Sequence, residues 1–427
     1  METRHHEPAR SAGEGSALAT GGKKQIPRSL RSLVMTFFAA CSTGNPAPAP
    51  AAAPTSPTIV VVSFDALGDR FLDRDTLPNF RRLIGTGVRA PFRPQFPSKT
   101  FPNHYSMATG LTPGQHGIVV NSFFDPARKE MFLRRSASEG SWFGGEPIWV
   151  TAERAGVRTA AYFWTGSEAE IGGIRPSNWK LFDATIPDSV KFGQIMAWLR
   201  LPVAERPRLV MMYSGVVDGP SHRYGPESPQ AFAAVRTADR LLGALRDSLA
   251  KLPLPIDLIA VSDHGQLYVP REHNIDMDSL LPKHGVLVDD EHATFSIWQD
   301  PEGPRVNMDS LAAFYRKTIP HMRLFRPGEF PDEWQTRQNP RFGDIFMLAD
   351  PGYEFVGTKP PAVYTLGEHG YDPRVPEMMG IFVAAGPSFR QGLRLDVREN
   401  RTLHELLIHL LRLKNPIEAK MPDFGLR

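Results

Sequence analysis

The stretch PSKTFPNHYSMATG, residues 97–110, sets Thr100 between a lysine and a phenylalanine directly after a proline-broken loop. A threonine hydroxyl is a weak nucleophile until something takes or stabilises its proton. The stretch supplies no obvious base, since His104 lies four residues on and a histidine there serves structure as readily as catalysis. Activation must come from elsewhere in the chain. Asp65 closes TIVVVSFD, Asp218 follows RLVMMYSGVVD, and Asp263 with His264 closes IDLIAVSDH. DGPSH spaces Asp218 and His222 four apart, so a helical turn would aim both at one ion, and His369 lies in the Gly-flanked GEHGYDP. Each has a bland alternative: a lone strand-end carboxylate usually caps the next helix, and D-x-x-x-H recurs by chance. SDHG is stronger, because an acid and an imidazole sit side by side on a loop whose glycine permits a tight bend. Together, three carboxylates and three imidazoles suit two zinc-type ions of mixed oxygen and nitrogen ligation. Such a pair would clamp the attacking and leaving oxygens of a phosphoryl transfer, and a metal-coordinated Thr100 hydroxyl would need no general base. Asn121, in GIVVNSFFDP, is either a turn residue or an amide donor to a non-bridging phosphoryl oxygen.

The elements that must position these residues follow from the apolar pattern. TIVVVSF, RTAAYFW, RLVMMYS, IDLIAVS and MGIFVAA read as strands buried on both faces. LPNFRRLIGTG, DSVKFGQIMAWLRL, SPQAFAAVRTADRLLGALRDSLAKL and RTLHELLIHLLRL read as helices between and after them. Alternation of the two predicts an α/β fold with a mostly parallel central sheet and helices on both faces. Ligands of such sheets bind beyond the carboxyl ends of the strands, where the acids fall. Residues 270–360 are proline-rich and break the rhythm, which predicts an insertion or cap within a catalytic region of residues 58–427.

The chain has 427 residues, 41% hydrophobic and 22% charged, enough for a large core and ordinary for a globular protein. With 49 basic against 46 acidic residues, it lacks the charge excess of a nucleic-acid scaffold. The single cysteine, Cys41, excludes an intrachain disulfide and a Cys-based zinc site. It ends RSLRSLVMTFFAAC, a basic then apolar run that resembles a bacterial lipoprotein signal, although the run is short and Phe38 stands where leucine is usual. STGNPAPAPAAAPTSP after it reads as an extended tether. Residues 1–57 are therefore expected to direct export to the periplasm or cell surface, with a lipid anchor on Cys41.

PSKTFPNHYSMATGLTPGQHGIVVNSFFDP, GEPIWVTAERAG, DGPSHRYGP, SDHG and GEHGYD resemble, in order, stretches of the nucleotide pyrophosphatase/phosphodiesterase family of the alkaline phosphatase superfamily. The resemblance runs from about Val60 to about Phe389. It implies an alkaline phosphatase-like fold, two Zn2+ ions and Thr100 as the nucleophile. Asp65, Asp263, His264 and Thr100 would hold one ion, and Asp218, His222 and His369 the other. Asn121 and the backbone N–H of Thr100 would bind phosphoryl oxygen. Phe101 and Phe182 fall where the family stacks a nucleobase, though Phe182 could equally be a core aromatic. Lys99 matches the family pattern, but a loop lysine is usually solvated and is given no role; His104 and His116 fit no ligand position and read as structural. No C/S-x-P-x-R run marks a sulfatase, and related phosphoglycerate mutases use serine.

The resemblance thus implies a two-zinc hydrolase that cleaves nucleotide phosphodiester or pyrophosphate bonds through a phosphothreonine intermediate and releases nucleoside monophosphates. A phosphomonoesterase or a choline-type phosphodiesterase would use the same scaffold, and a non-catalytic surface protein is the remaining alternative. A monoester carries more charge at phosphorus and calls for an added cation; the matching motifs contain Asn121 and no arginine for that purpose.

Overall fold

The computed structural model describes residues 56–74, 76–357, 365–417 and 419–427. The expected signal, Cys41 and most of the tether lie outside the described residues.

Nine strands form the main sheet: β1 (Thr58–Phe64), β2 (Val88–Arg93), β3 (Thr159–Tyr162), β4 (Asn178–Lys180), β5 (Leu209–Ser214), β6 (Ile256–Val261), β7 (Gly380–Ala385), β8 (Leu393–Arg394) and β9 (Arg398–Glu399). Their order is β8-β2-β7-β6-β1-β5-β3-β4, with β9 also on β2. β1 pairs parallel with β5 and β6, while β7 runs antiparallel to both of its neighbours, so the sheet is mostly parallel with one reversed strand. The continuous apolar runs are explained by burial on two faces. Ile59 and Val61 face a core that holds helices α2 (Thr100–Thr109), α3 (Ile148–Arg154) and α8 (Leu403–Leu411). Val60 and Val62 face one built with α1 (Pro78–Gly85), α4 (Asp188–Leu199) and α6 (Pro229–Leu249). Other helices include α5 (Asp218–Tyr224), beyond β5, and α7 (Met308–Thr318).

Among the elements not legible beforehand, two bear on the sheet and the site. β2 contains Pro91 and arginines at both ends of its central run, which interrupt the apolar signature, yet it pairs with β7 through Pro91–Ile381 and neighbouring positions. Helix α2 is buried from Pro102 to Thr109, so it has no polar stripe to give a helical period. Pro102 is tolerated because the first-turn N–H groups have no intrahelical acceptor.

Within the region expected to be a cap, Val286–Asp290, Thr294–Gln299, Met322–Phe325 and Ile345–Ala349 form a separate four-stranded antiparallel sheet. Its core joins Phe295, Ile297 and Met347 to Tyr315 of α7.

Candidate active site

β6, β1 and β5 are adjacent and parallel, so the residues following them converge at one edge. Asp65 follows β1, Asp263 and His264 follow β6, and Asp218 opens α5 beyond β5. The helical spacing expected of Asp218 and His222 is realised in α5, with His222 Nε2 3.2 Å from Asp218 Oδ1. His369 reaches the same place from the chain before β7. Ligand atoms of Asp65, Asp263 and His264 lie within 4.8 Å of one another, and those of Asp218, His222 and His369 do the same. This grouping coincides with the two sets implied by the resemblance. The stacked rings of His264 and His369, 3.8 Å apart, place the sets side by side.

The donor set fits metal ions. Carbonyl oxygens only accept hydrogen bonds, so His264 Nδ1–H donates to Gly265 O (3.1 Å) and His369 Nδ1–H to Ser98 O (2.9 Å). Both rings therefore present the Nε2 lone pair inward, the outer hydrogen bond fixing tautomer and orientation as at known metal sites. Asp65 Oδ1 and Asp263 Oδ2 are buried without a hydrogen bond, although His264 Nε2 lies 3.6 and 2.9 Å from them. Buried carboxylates are costly without a counter-charge. Burial and the neighbouring Asp263 push the Asp65 carboxyl well above the usual range, and burial holds His369 well below that of an ordinary imidazole. A bound cation would relieve the first and use the second.

Thr100 begins α2, with its Oγ1 3.2 Å from His264 Nε2. Asn121 Oδ1 accepts from Phe101 N–H at 2.9 Å, which commits the amide oxygen and leaves Nδ2 as a donor. Phe101 and Phe182 line one cavity with Thr100, Asp65 and Asp218. The core alternative for Phe182 does not hold, since the residue is 51% exposed. His104 is held by Ser63 Oγ and Thr100 O, with Nδ1 3.4 Å from Asp263 Oδ2, and His116 meets Ser106 Oγ.

Several residues escaped the sequence. Lys99 is not solvated: it is 2% exposed and donates to Glu291 O at 2.6 Å. Tyr213 donates to Asp65 Oδ2 at 2.7 Å, and Gln266 to Asp218 Oδ1 at 2.8 Å. Arg134 and Glu168 line the cavity, so an arginine is present there although the matching motifs offer none for that purpose. The only advance signal for Arg134 was the basic pair in FLRRS.

The chain's similarities agree with this geometry. The profile of the type I phosphodiesterase / nucleotide pyrophosphatase family matches residues 59–372. An uncharacterized pyrophosphatase/phosphodiesterase of Schizosaccharomyces pombe is 34% identical over 376 residues, 83% of this chain and 77% of the relative. Ectonucleotide pyrophosphatase/phosphodiesterase family member 1 of Rattus norvegicus is 31% identical over 387 residues, covering 88% of this chain but only 43% of its own length. A structure of murine ectonucleotide pyrophosphatase/phosphodiesterase 5, an inactive threonine-to-alanine variant in complex with AMP, superposes with a TM-score of 0.80 at 28% identity, covering 85% of this chain and 97% of that one. The chain belongs to the type I phosphodiesterase / nucleotide pyrophosphatase family. Its fold is alkaline phosphatase-like.

Proposed function

We propose that the chain hydrolyses phosphodiester or pyrophosphate bonds of nucleotides through Thr100 and releases nucleoside monophosphates. The observation that carries this reading is the Thr100 hydroxyl, which opens a buried helix beside two convergent ligand sets and faces a cavity lined by Phe101 and Phe182. Asp65, Asp263, His264 and Thr100 would hold one Zn2+, and Asp218, His222 and His369 the other. Bound zinc supplies Lewis-acid charge that lowers the pKa of the Thr100 hydroxyl and offsets charge developing at phosphorus. Thr100 Oγ attacks in line, forming an Oγ–P bond as the bond from phosphorus to the leaving alcohol or phosphate breaks. Water then cleaves the phosphothreonine and restores the hydroxyl. Asn121 Nδ2 donates to a non-bridging oxygen, and Phe101 and Phe182 hold the base. The AMP complex of the murine relative's inactive threonine-to-alanine variant supports both the nucleotide and the threonine.

Parallel assays of a nucleoside monophosphate aryl ester and an aryl monophosphate test the reaction class. The diester is expected to be preferred by orders of magnitude, and equal efficiency on the monoester would overturn the assignment. Thr100→Ala is expected to lose several orders of magnitude in turnover while retaining metal; near-wild-type turnover would remove Thr100 as nucleophile.

Export is supported by the ectoenzyme names of relatives and by the basic-apolar run ending at Cys41. Among the described residues no helix is long and apolar enough to cross a membrane. A lipid on Cys41 is tested by mass spectrometry of protein from its native host, where an intact, unmodified residue 1–57 segment would refute it.

A further inference from the structure

Glu368 belongs to neither ligand set, yet it stands between them and the residue that precedes Thr100. It is buried in a two-residue strand with Gly367, paired antiparallel to Leu267–Tyr268. Leu366 N–H donates to His222 O at 2.7 Å, tying the segment to α5. Gly367 permits the approach, because a Cβ there would lie 2.3 Å from Ser221 O. One carboxylate oxygen of Glu368 is thereby set 3.1 Å from His222 Nδ1, on the side of the ring away from Asp218, and both atoms are buried with no other hydrogen-bond partner. The other lies 3.9 Å from Lys99 Nζ. The stem of Lys99 is pressed against Gly370, where a Cβ would come within 2.5 Å of Lys99 Cε. The four residues of GEHG therefore work together: two glycines for close approach, His369 as a ligand, and Glu368 between His222 and Lys99.

We infer that Glu368 is a positioning residue, which holds the His222 ring with Nε2 toward the second metal and anchors Lys99 beside Thr100. The inference rests on the two-metal reading above. A carboxylate at Nδ1 fixes the tautomer that leaves Nε2 free to ligate and raises its basicity, and loss of such partners typically lowers metal affinity or activity by about 10- to 100-fold. Glu368 also shares a third group of potential ligand atoms, within 4.8 Å of one another, with His292 and the buried Glu354, whose Oε2 accepts from Thr365 at 2.9 Å and lies 3.5 Å from His292. An independent control is Glu405, a carboxylate buried at the other end of α2.

The test is zinc retention without substrate, with metal per chain measured after dialysis against graded chelator. Glu368→Gln is expected to release one zinc about 10- to 100-fold more readily than wild type, with kcat/KM falling at limiting zinc and recovering as zinc is raised. Glu368→Asp, which keeps the charge, should recover part of the retention, and Glu405→Gln should match wild type. Wild-type retention in Glu368→Gln, or an equal loss in Glu405→Gln, would overturn the inference and leave the hydrolase reading standing. A wild-type protein that bound no zinc would overturn both.

Discussion

The two ends of α2 meet two buried clusters of ionisable side chains with opposite character. At its start, Thr100 faces Asp65, Asp263 and His264, whose inward atoms converge and whose outer atoms are fixed by Gly265 O, Tyr213 and backbone donors. At its end, Gly110 turns the chain with φ 72°, and a Cβ there would lie 3.0 Å from Glu405 Oε1 and 3.1 Å from His404 Nδ1. All four side-chain polar atoms of His404 and Glu405 are buried without a hydrogen bond. Both clusters thus contain orphaned buried atoms. What separates them is orientation: one set is braced from outside and aimed at a common point, whereas nothing braces the other. Burial and perturbed titration alone would have nominated both ends of the helix.

The largest expected effect follows from removing a braced ligand. Asp263→Asn should lower both zinc retention and kcat/KM by more than the roughly 10- to 100-fold typical of outer partners, because it removes a ligand charge that both His264 and His104 face. His404→Leu, at the other end of α2, should leave kcat/KM near wild type. Comparable losses of turnover in the two variants, measured at saturating zinc, would erase the distinction.

A smaller effect separates the acidic floor of the cavity from its apolar wall. Stacking on an aromatic ring is worth about 1 to 3 kcal/mol per base, or roughly 5- to 150-fold in kcat/KM. Phe101→Ala should lose that much on nucleotide diesters and much less on base-free diesters, with zinc retention unchanged. A loss independent of the base would remove the stacking role of Phe101 without touching the metal sites.

Legibility in the sequence followed the same division between local pattern and distant contact. The strands β1, β5 and β6 could be read because burial on both faces leaves uninterrupted apolar runs, and the residues just past them inherited a location from the general rule for parallel sheets. The pairing of Asp218 with His222 was legible as helical spacing. The partition of six ligands into two sets came from the family resemblance, since spacing does not say which strand ends are neighbours. Lys99 was misread because its burial is made by Gly370 and Glu291, far away in sequence. The short strand carrying Glu368 and the antiparallel sheet at 286–349 were missed because their pairing is set by tertiary contacts rather than by periodicity.

The last predicted effect touches stability and leaves activity alone, at the far end of α2. Burial raises the Glu405 carboxyl to about 7, opposed by Arg401, and burial lowers the His404 imidazole to about 4. For Glu405, the stability present in full below its unfolded value of about 4.5 is lost as pH rises through about 7. For His404 the sign is reversed: stability present above about 6.5 is lost as pH falls through about 4. Between about pH 4.5 and 6.5 the folded pair is mostly neutral and the unfolded pair carries one charge of each sign, so proton uptake nearly cancels. Wild type should therefore show little pH dependence from this pair in that window. Glu405→Gln leaves the histidine term alone, so stability should rise with pH there, and above pH 7 the variant should exceed wild type by on the order of 2 to 3 kcal/mol. His404→Leu should reverse the slope. Denaturant midpoints measured from pH 4.5 to 8 check both signs, and parallel profiles for the two variants would show that the pair does not titrate as its burial requires.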